Sequence, residues 1–113
     1  MSIKHKQLAG GRWNKLTFFE QMANIGSEVE RTIKWKEKCN IDYSQQAFER
    51  ALELLSFTID DQKNKKRLKE LVRVYECLVD YFVFENQYGS SDKLWQNYFF
   101  VFNWAARKEK ICV

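Results

Sequence analysis

The sequence predicts an all-α protein: an antiparallel four-helix bundle with a loose basic N-terminal arm. Three observations predict it. Proline is absent and glycine occurs only four times, against about 5% and 7% in ordinary chains, whereas a β-rich domain draws on both for its turns. Apolar residues recur at steps of three and four along four successive stretches, the period of one helical face. Short polar links separate those stretches, as between antiparallel neighbours in a bundle. A chain of 113 residues forms one domain and can bury a core without metal or disulfides. Its 45% hydrophobic content excludes disorder throughout.

Residues 1–16 read as a flexible arm and 17–113 as the helical domain. The arm carries Lys4, Lys6, Arg12 and Lys15 with no acid, and Gly10-Gly11 forms a hinge. Trp13 and Leu16 should fold back onto the body, because lone apolar side chains seek cover. The first helix covers about 18–38. Thr17 and Glu20 have capping-box spacing, and Phe18, Met22, Ile25, Val29 and Ile33 form one face. Gly26 costs about 1 kcal/mol against alanine inside a helix; close approach of a neighbouring helix is the expected compensation. Cys39 stands where a glycine helix stop is expected.

The second helix covers about 42–59. Asp42 and Gln45 repeat the cap spacing, and Ala47, Phe48, Ala51, Leu52, Leu55, Thr58 and Ile59 form a wide apolar face. The third, about 64–84, has the cleanest period: Leu68, Leu71, Val72, Tyr75, Leu78, Val79 and Phe82. Val74, Cys77, Tyr81 and Phe84 carry apolar character round most of it, which predicts a helix buried in the middle. The stretch ENQYGSSD is a turn, with Gly89 free to take positive φ and Ser90 or Ser91 as the next cap. The fourth helix covers about 92–108.

The fourth helix holds "LWQNYFFVFNWAAR", too aromatic for one face. At about 100° per residue, Trp95, Tyr98, Phe99, Phe102 and Ala106 share the core face. Leu94, Val101 and Ala105 lie on a flank. Phe100 and Trp104 fall on the back, four apart and expected to touch, among Lys93, Gln96, Asn97, Arg107 and Lys108. Either the arm covers this pair through Trp13 or Leu16, or the pair is a contact surface. Aromatics amid Arg and polar side chains have the composition of an interface. Tyr81 and Phe84, turned outward on the third helix, extend the partner-binding candidates.

The single histidine, His5, lies in the arm, so the body lacks the usual general base and metal ligand. No di-iron Glu-x-x-His pair and no phosphate-binding glycine motif is present; no cofactor, metal or small-molecule substrate is expected. Glu76 and Asp80, with Arg73 a turn earlier, form the best polar network; it reads as a salt-bridge stripe before it reads as an acid–base pair. Lys63, Lys65, Lys66, Arg67, Lys69 and Arg73 form a basic cluster at the third helix N-terminus, where cations oppose the helix dipole. With Arg107, Lys108 and the basic arm they are the candidate phosphate contacts. The net charge of +4 thus comes from the two ends. Three cysteines without CxxC spacing, and an N-terminus without an apolar core segment, point to the cytoplasm. No apolar run is long enough to span a membrane.

"LTFFEQMANIGSEVERTIKW", "YSQQAFERALELLSFTI" and "YGSSDKLWQNYFFVFNWAARK" together resemble a family of small prokaryotic all-helical proteins of uncharacterised activity. The resemblance implies a bundle and supplies no site residues. "YSQQAFERALEL" also looks like a tetratricopeptide fragment, with no second unit at that repeat's interval. Bundles of the HEPN ribonuclease class have this size, but no histidine follows Arg73 or Arg107 to complete their Arg-x-x-x-x-His motif. The expected function is a nonenzymatic module that self-associates or docks a protein partner through Phe100, Trp104, Tyr81 and Phe84. The alternative is accessory RNA binding through the basic residues.

Overall fold

The structure, a computed structural model, describes residues 11–111. Lys4, His5, Lys6, Gly10 and Cys112 lie outside the described residues. Four α-helices make up the body, with no strand among the described residues: α1 (Phe18–Glu37), α2 (Ile41–Asp60), α3 (Leu68–Phe82) and α4 (Asp92–Ile111). The fold is an all-α bundle.

Helix α1 starts where its capping box dictates. Thr17 Oγ1 accepts from the Glu20 backbone N–H at 3.1 Å, and Glu20 Oε1 accepts from that of Thr17 at 3.0 Å. The helix ends in a left-handed residue, Cys39, at φ 60°. Asn40 N–H bonds back to Trp35 C=O at 2.9 Å and Cys39 N–H to Lys36 C=O at 3.0 Å, the two bonds of a Schellman stop. Asn40 then caps α2 by accepting from Tyr43 N–H at 3.1 Å. This corrects the expected Asp42–Gln45 cap: the reversal at Cys39 delivers Asn40, not Asp42, to the cap position. A side chain at positive φ costs about 1–2 kcal/mol that glycine avoids. Cys39→Gly is therefore expected to raise stability by about 1 kcal/mol in urea unfolding; an unchanged or lower midpoint would count against this account.

Helix α1, not α3, is the central element. It packs along both α2 and α4, while α3 packs on α2 and approaches α4 less closely. Met22, Ile25, Val29 and Ile33 of α1 are buried, as are Ala47, Ala51, Leu54 and Leu55 of α2. The expectation of a buried third helix is corrected. Only Leu71, Val74, Leu78 and Asp80 of α3 are buried, and Leu68 and Val72 face outward. The seam between α3 and α4 is spanned by side chains, with Tyr98 Oη donating to Glu70 at 3.1 Å and Tyr81 Oη to Asp92 at 2.7 Å.

Helix α3 is also shorter than its period suggests. Residues Gln62–Arg67 form a 3-10 turn. Asp61 caps that turn, and the buried Asn64 amide donates to Gln21 Oε1 and Thr58 C=O at 2.9 and 3.0 Å. Those bonds pull the turn into the body and delay α-helical register until Leu68. At the other end, Asp80 accepts the backbone N–H groups of Gln87 and Tyr88 at 2.9 and 3.1 Å. The chain reverses there, which leaves Val83 and Phe84 beyond the helix and exposed. Gly89 takes φ +67° in this loop, and Ser91 Oγ caps α4 by accepting from Leu94 N–H.

The described part of the arm lies against the body. Trp13 is 2% exposed; its indole N–H donates to Thr58 Oγ1 at 3.0 Å. Gln21 donates to Trp13 C=O and to Asp61 Oδ2 at 3.1 and 2.9 Å. Lys63 bonds to Asp61 and to Asn14 C=O. Burial alone would raise the Asp61 carboxyl, but hydrogen bonds from Lys63 and Gln21 and the Lys63 charge outweigh it and hold it below the usual carboxylate range. No helix among the described residues is long and apolar enough to cross a membrane.

Candidate functional site

The two faces of α4 separate as the helical angle dictates. Trp95, Phe99 and Ala106 are buried, and Tyr98 and Phe102 are half-buried against the core. Trp95 and Phe99 stack at 6.1 Å, and Tyr98 meets Phe99 and Phe102 edge-on at 5.0 and 5.2 Å. The Trp95 indole N–H is buried with no hydrogen-bond partner among the described residues. Gly26 sits directly beneath this face: a Cβ there would lie 2.7 Å from Phe99 Cβ. The glycine is what lets α4 lie so close to α1.

On the back of α4, Phe100 is 65% and Trp104 56% exposed. Leu94 and Val101 on the flank are also more than half exposed. Trp13 and Leu16 pack on the core instead of covering this face. The expected contact between Phe100 and Trp104 is absent among the described ring contacts. Trp104 instead carries the Lys108 ammonium, 4.9 Å from its ring centre.

The third helix does not add to this face as expected. The Tyr81 hydroxyl is taken by Asp92, its ring packs on Phe82 at 4.9 Å, and Lys36 lies over it at 5.0 Å. Burial, followed by the Asp92 hydrogen bond and charge, pushes the Tyr81 hydroxyl up to about 12. Burial and then the Glu70 charge and hydrogen bond likewise raise Tyr98. Tyr81 is thus a latch between α3 and α4. Phe84 is 70% exposed, but no ring contact or hydrogen bond among the described residues joins it to Phe100 or Trp104. It lines an open hollow of about 570 Å³ with Tyr75, Glu76, Val79 and Tyr88.

The polar network of Arg73, Glu76 and Asp80 does not assemble. Asp80 has both oxygens on loop N–H groups, and the Arg73 guanidinium lies 4.8 Å over the Tyr88 ring. Glu76 stands exposed beside the hollow. Asp80 serves to hold the loop, and no hydrogen bond or ion pair among the described residues joins it to Glu76 or Arg73. Among the described residues, no three of His, Cys, Asp and Glu come together as a metal site.

The basic cluster divides. Lys63 is spent on Asp61 and Asn14, and Arg73 on Tyr88. Arg67 lays its guanidinium 4.1 Å over Phe18. Lys65, Lys66, Lys69, Arg107 and Lys108 are exposed. The buried Glu28 carboxylate pairs with Arg31 within α1 and with Arg50 of α2, and the second pair joins the two helices; neither that bridge nor the knot around Asp61 is legible in local spacing, because the partners lie on different elements. Comparison with protein-family models, curated proteins and solved structures found no match to this chain.

Proposed function

We propose that this chain is a nonenzymatic helical module that docks a protein partner through the outward face of α4. The observation that carries the proposal is Phe100 and Trp104, one helical turn apart and each more than half exposed, on a helix whose opposite face is locked into the core. Large aromatics held rigidly in an exposed position bring contact area at little entropic cost, which is why they anchor interfaces.

The charge around them names the partner's chemistry. Lys93, Arg107 and Lys108 flank the pair and are exposed; of the nearby acids, Asp92 is bonded to Tyr81 and Glu30, in a hollow beside Phe100, accepts from Gln96. A second copy would bring the same cations against themselves, and like charges across an interface are costly. An amphipathic helix with an apolar stripe and acidic flanks meets both the aromatic pair and the cations.

Fluorescence anisotropy with two labelled helical peptides tests this. They share one apolar face; one is flanked by Glu and the other by Lys. The Glu-flanked peptide is expected to bind, the Lys-flanked one not. Phe100→Ala with Trp104→Ala should weaken binding at least tenfold, about 1.4 kcal/mol, and leave unfolding within about 0.5 kcal/mol. Equal binding by both peptides, or by the double variant, overturns the proposal. A wild-type dimer that the double variant dissociates assigns the face to a second copy instead.

A further inference from the structure

One end of the bundle, which shares Trp104, Arg107 and Lys108 with the outward face of α4, brings together residues that the sequence keeps far apart. The N-terminal turn, the first turn of α1, the 62–67 turn and the last turns of α4 meet at one end of the bundle. Lys63 bonds to Asn14, Arg67 covers Phe18, and Phe18 and Phe19 contact Phe102 at 5.7 and 6.3 Å. Arg107 shares a hollow with Glu20 and Asn24. Three basic segments therefore form one pole: Arg12 and Lys15, then Lys65 to Arg67, then Arg107 and Lys108.

The acids at this pole are few and mostly occupied. Asp61 is held by Lys63, Glu20 by the α1 cap, and Glu70, in the first turn of α3, by the Tyr98 hydroxyl; Asp60 is exposed. At the opposite pole the signs mix, with Lys34, Lys36 and Lys38 beside Glu37 and Asp42, and with Asp92 bonded to the Tyr81 ring that Lys36 covers. The N-termini of α1 and α3 lie at this pole together with the C-termini of α2 and α4, so the helix dipoles offset one another and the positive field there comes from the side chains. Cations gathered on one surface suit a polyanion.

Aromatic side chains interleave these cations. Trp104 is 56% exposed beneath Lys108, Phe19 is half-buried, and the exposed Arg67 guanidinium rests on Phe18. A cationic track with open ring and guanidinium faces is how unpaired bases are held: the charges follow the phosphates and the bases stack. We propose that the basic pole formed by Lys65, Lys66, Arg67, Arg107 and Lys108 binds single-stranded nucleic acid without sequence preference.

Anisotropy of a labelled oligouridine of about 20 nucleotides, titrated with the full chain across salt concentrations, tests it. Binding is expected at low salt, with log affinity falling against log salt at a slope of about −3. Lys65→Glu with Lys66→Glu, and separately Arg107→Glu with Lys108→Glu, should each weaken it about tenfold or more. Lys65→Gln with Lys66→Gln should weaken it less, in the same direction. Lys34→Glu with Lys93→Glu makes the same charge change away from the pole and should bind more tightly than either pole variant. Absence of binding at low salt overturns the proposal. So does an equal loss in the Lys34 and Lys93 variant, which means net charge alone is read. Equal or tighter binding of a duplex, or of anionic vesicles, also overturns it.

Discussion

Trp13→Ala is expected to destabilise the protein by about 3–5 kcal/mol, the range for deleting a fully buried large aromatic. The indole is among the largest fully buried side chains, at 2% exposure, and it closes the bottom of the core where α1 and α2 meet. The cost is mainly the cavity. Thr58 Oγ1 loses the indole donor but still donates to Leu54 C=O, and Gln21 still has the Trp13 main-chain oxygen and Asp61 as acceptors. Trp13→Phe refills most of the space and gives up one hydrogen bond, so it should cost clearly less, with about 1 kcal/mol for that bond. Urea unfolding of both variants decides the matter. A Trp13→Ala loss below about 1 kcal/mol, within the ordinary range of single substitutions, would mean that the N-terminal turn is not part of the folded core.

Gly26→Ala sets two effects against each other. Helix propensity alone predicts a gain of about 1 kcal/mol. The new methyl, however, would sit 2.7 Å from Phe99 Cβ, 3.0 Å from its Cγ and 3.1 Å from Cδ1. A Cβ is fixed to its backbone, so α4 itself must move away. Overpacking of this kind costs about 1–3 kcal/mol, and separating α1 from α4 also loosens Trp95 and Phe99. A net loss of about 1–2 kcal/mol is expected, growing with Gly26→Leu. A higher melting temperature for Gly26→Ala would show that the two helices do not approach this closely in solution.

Much of the architecture is legible in local pattern. The Thr17–Glu20 capping box, the start of α4 near Asp92 and its division into core and outward faces all follow from residues within a turn or two of one another. The close approach at Gly26 is legible too, because an unfavourable residue in a helix interior calls for a compensating contact. Periodicity misleads at α3. It counts apolar residues without saying how many neighbours will cover them, so Val72 and Leu68 read as core and lie outside. The same limit applies to Tyr81, which spacing turns outward and Asp92 captures. Asp80 reads as part of a salt-bridge stripe with Arg73 and Glu76, but the loop that claims both its oxygens lies seven and eight residues on.

By itself the sequence determined the helical class, most of the boundaries, and which side of α4 carries Phe100 and Trp104. Each of these rests on backbone hydrogen bonds and side-chain angles set over three or four residues. The sequence also expected Trp13 to fold back, but tertiary structure alone decided that it seats against Thr58, that α1 is central, and that three basic segments share one pole. Those outcomes rest on contacts such as Trp13 with Thr58 and Gln21 with Asn64, 45 and 43 residues apart. Such contacts form only when whole helices pack together, and their partners leave no local period to read.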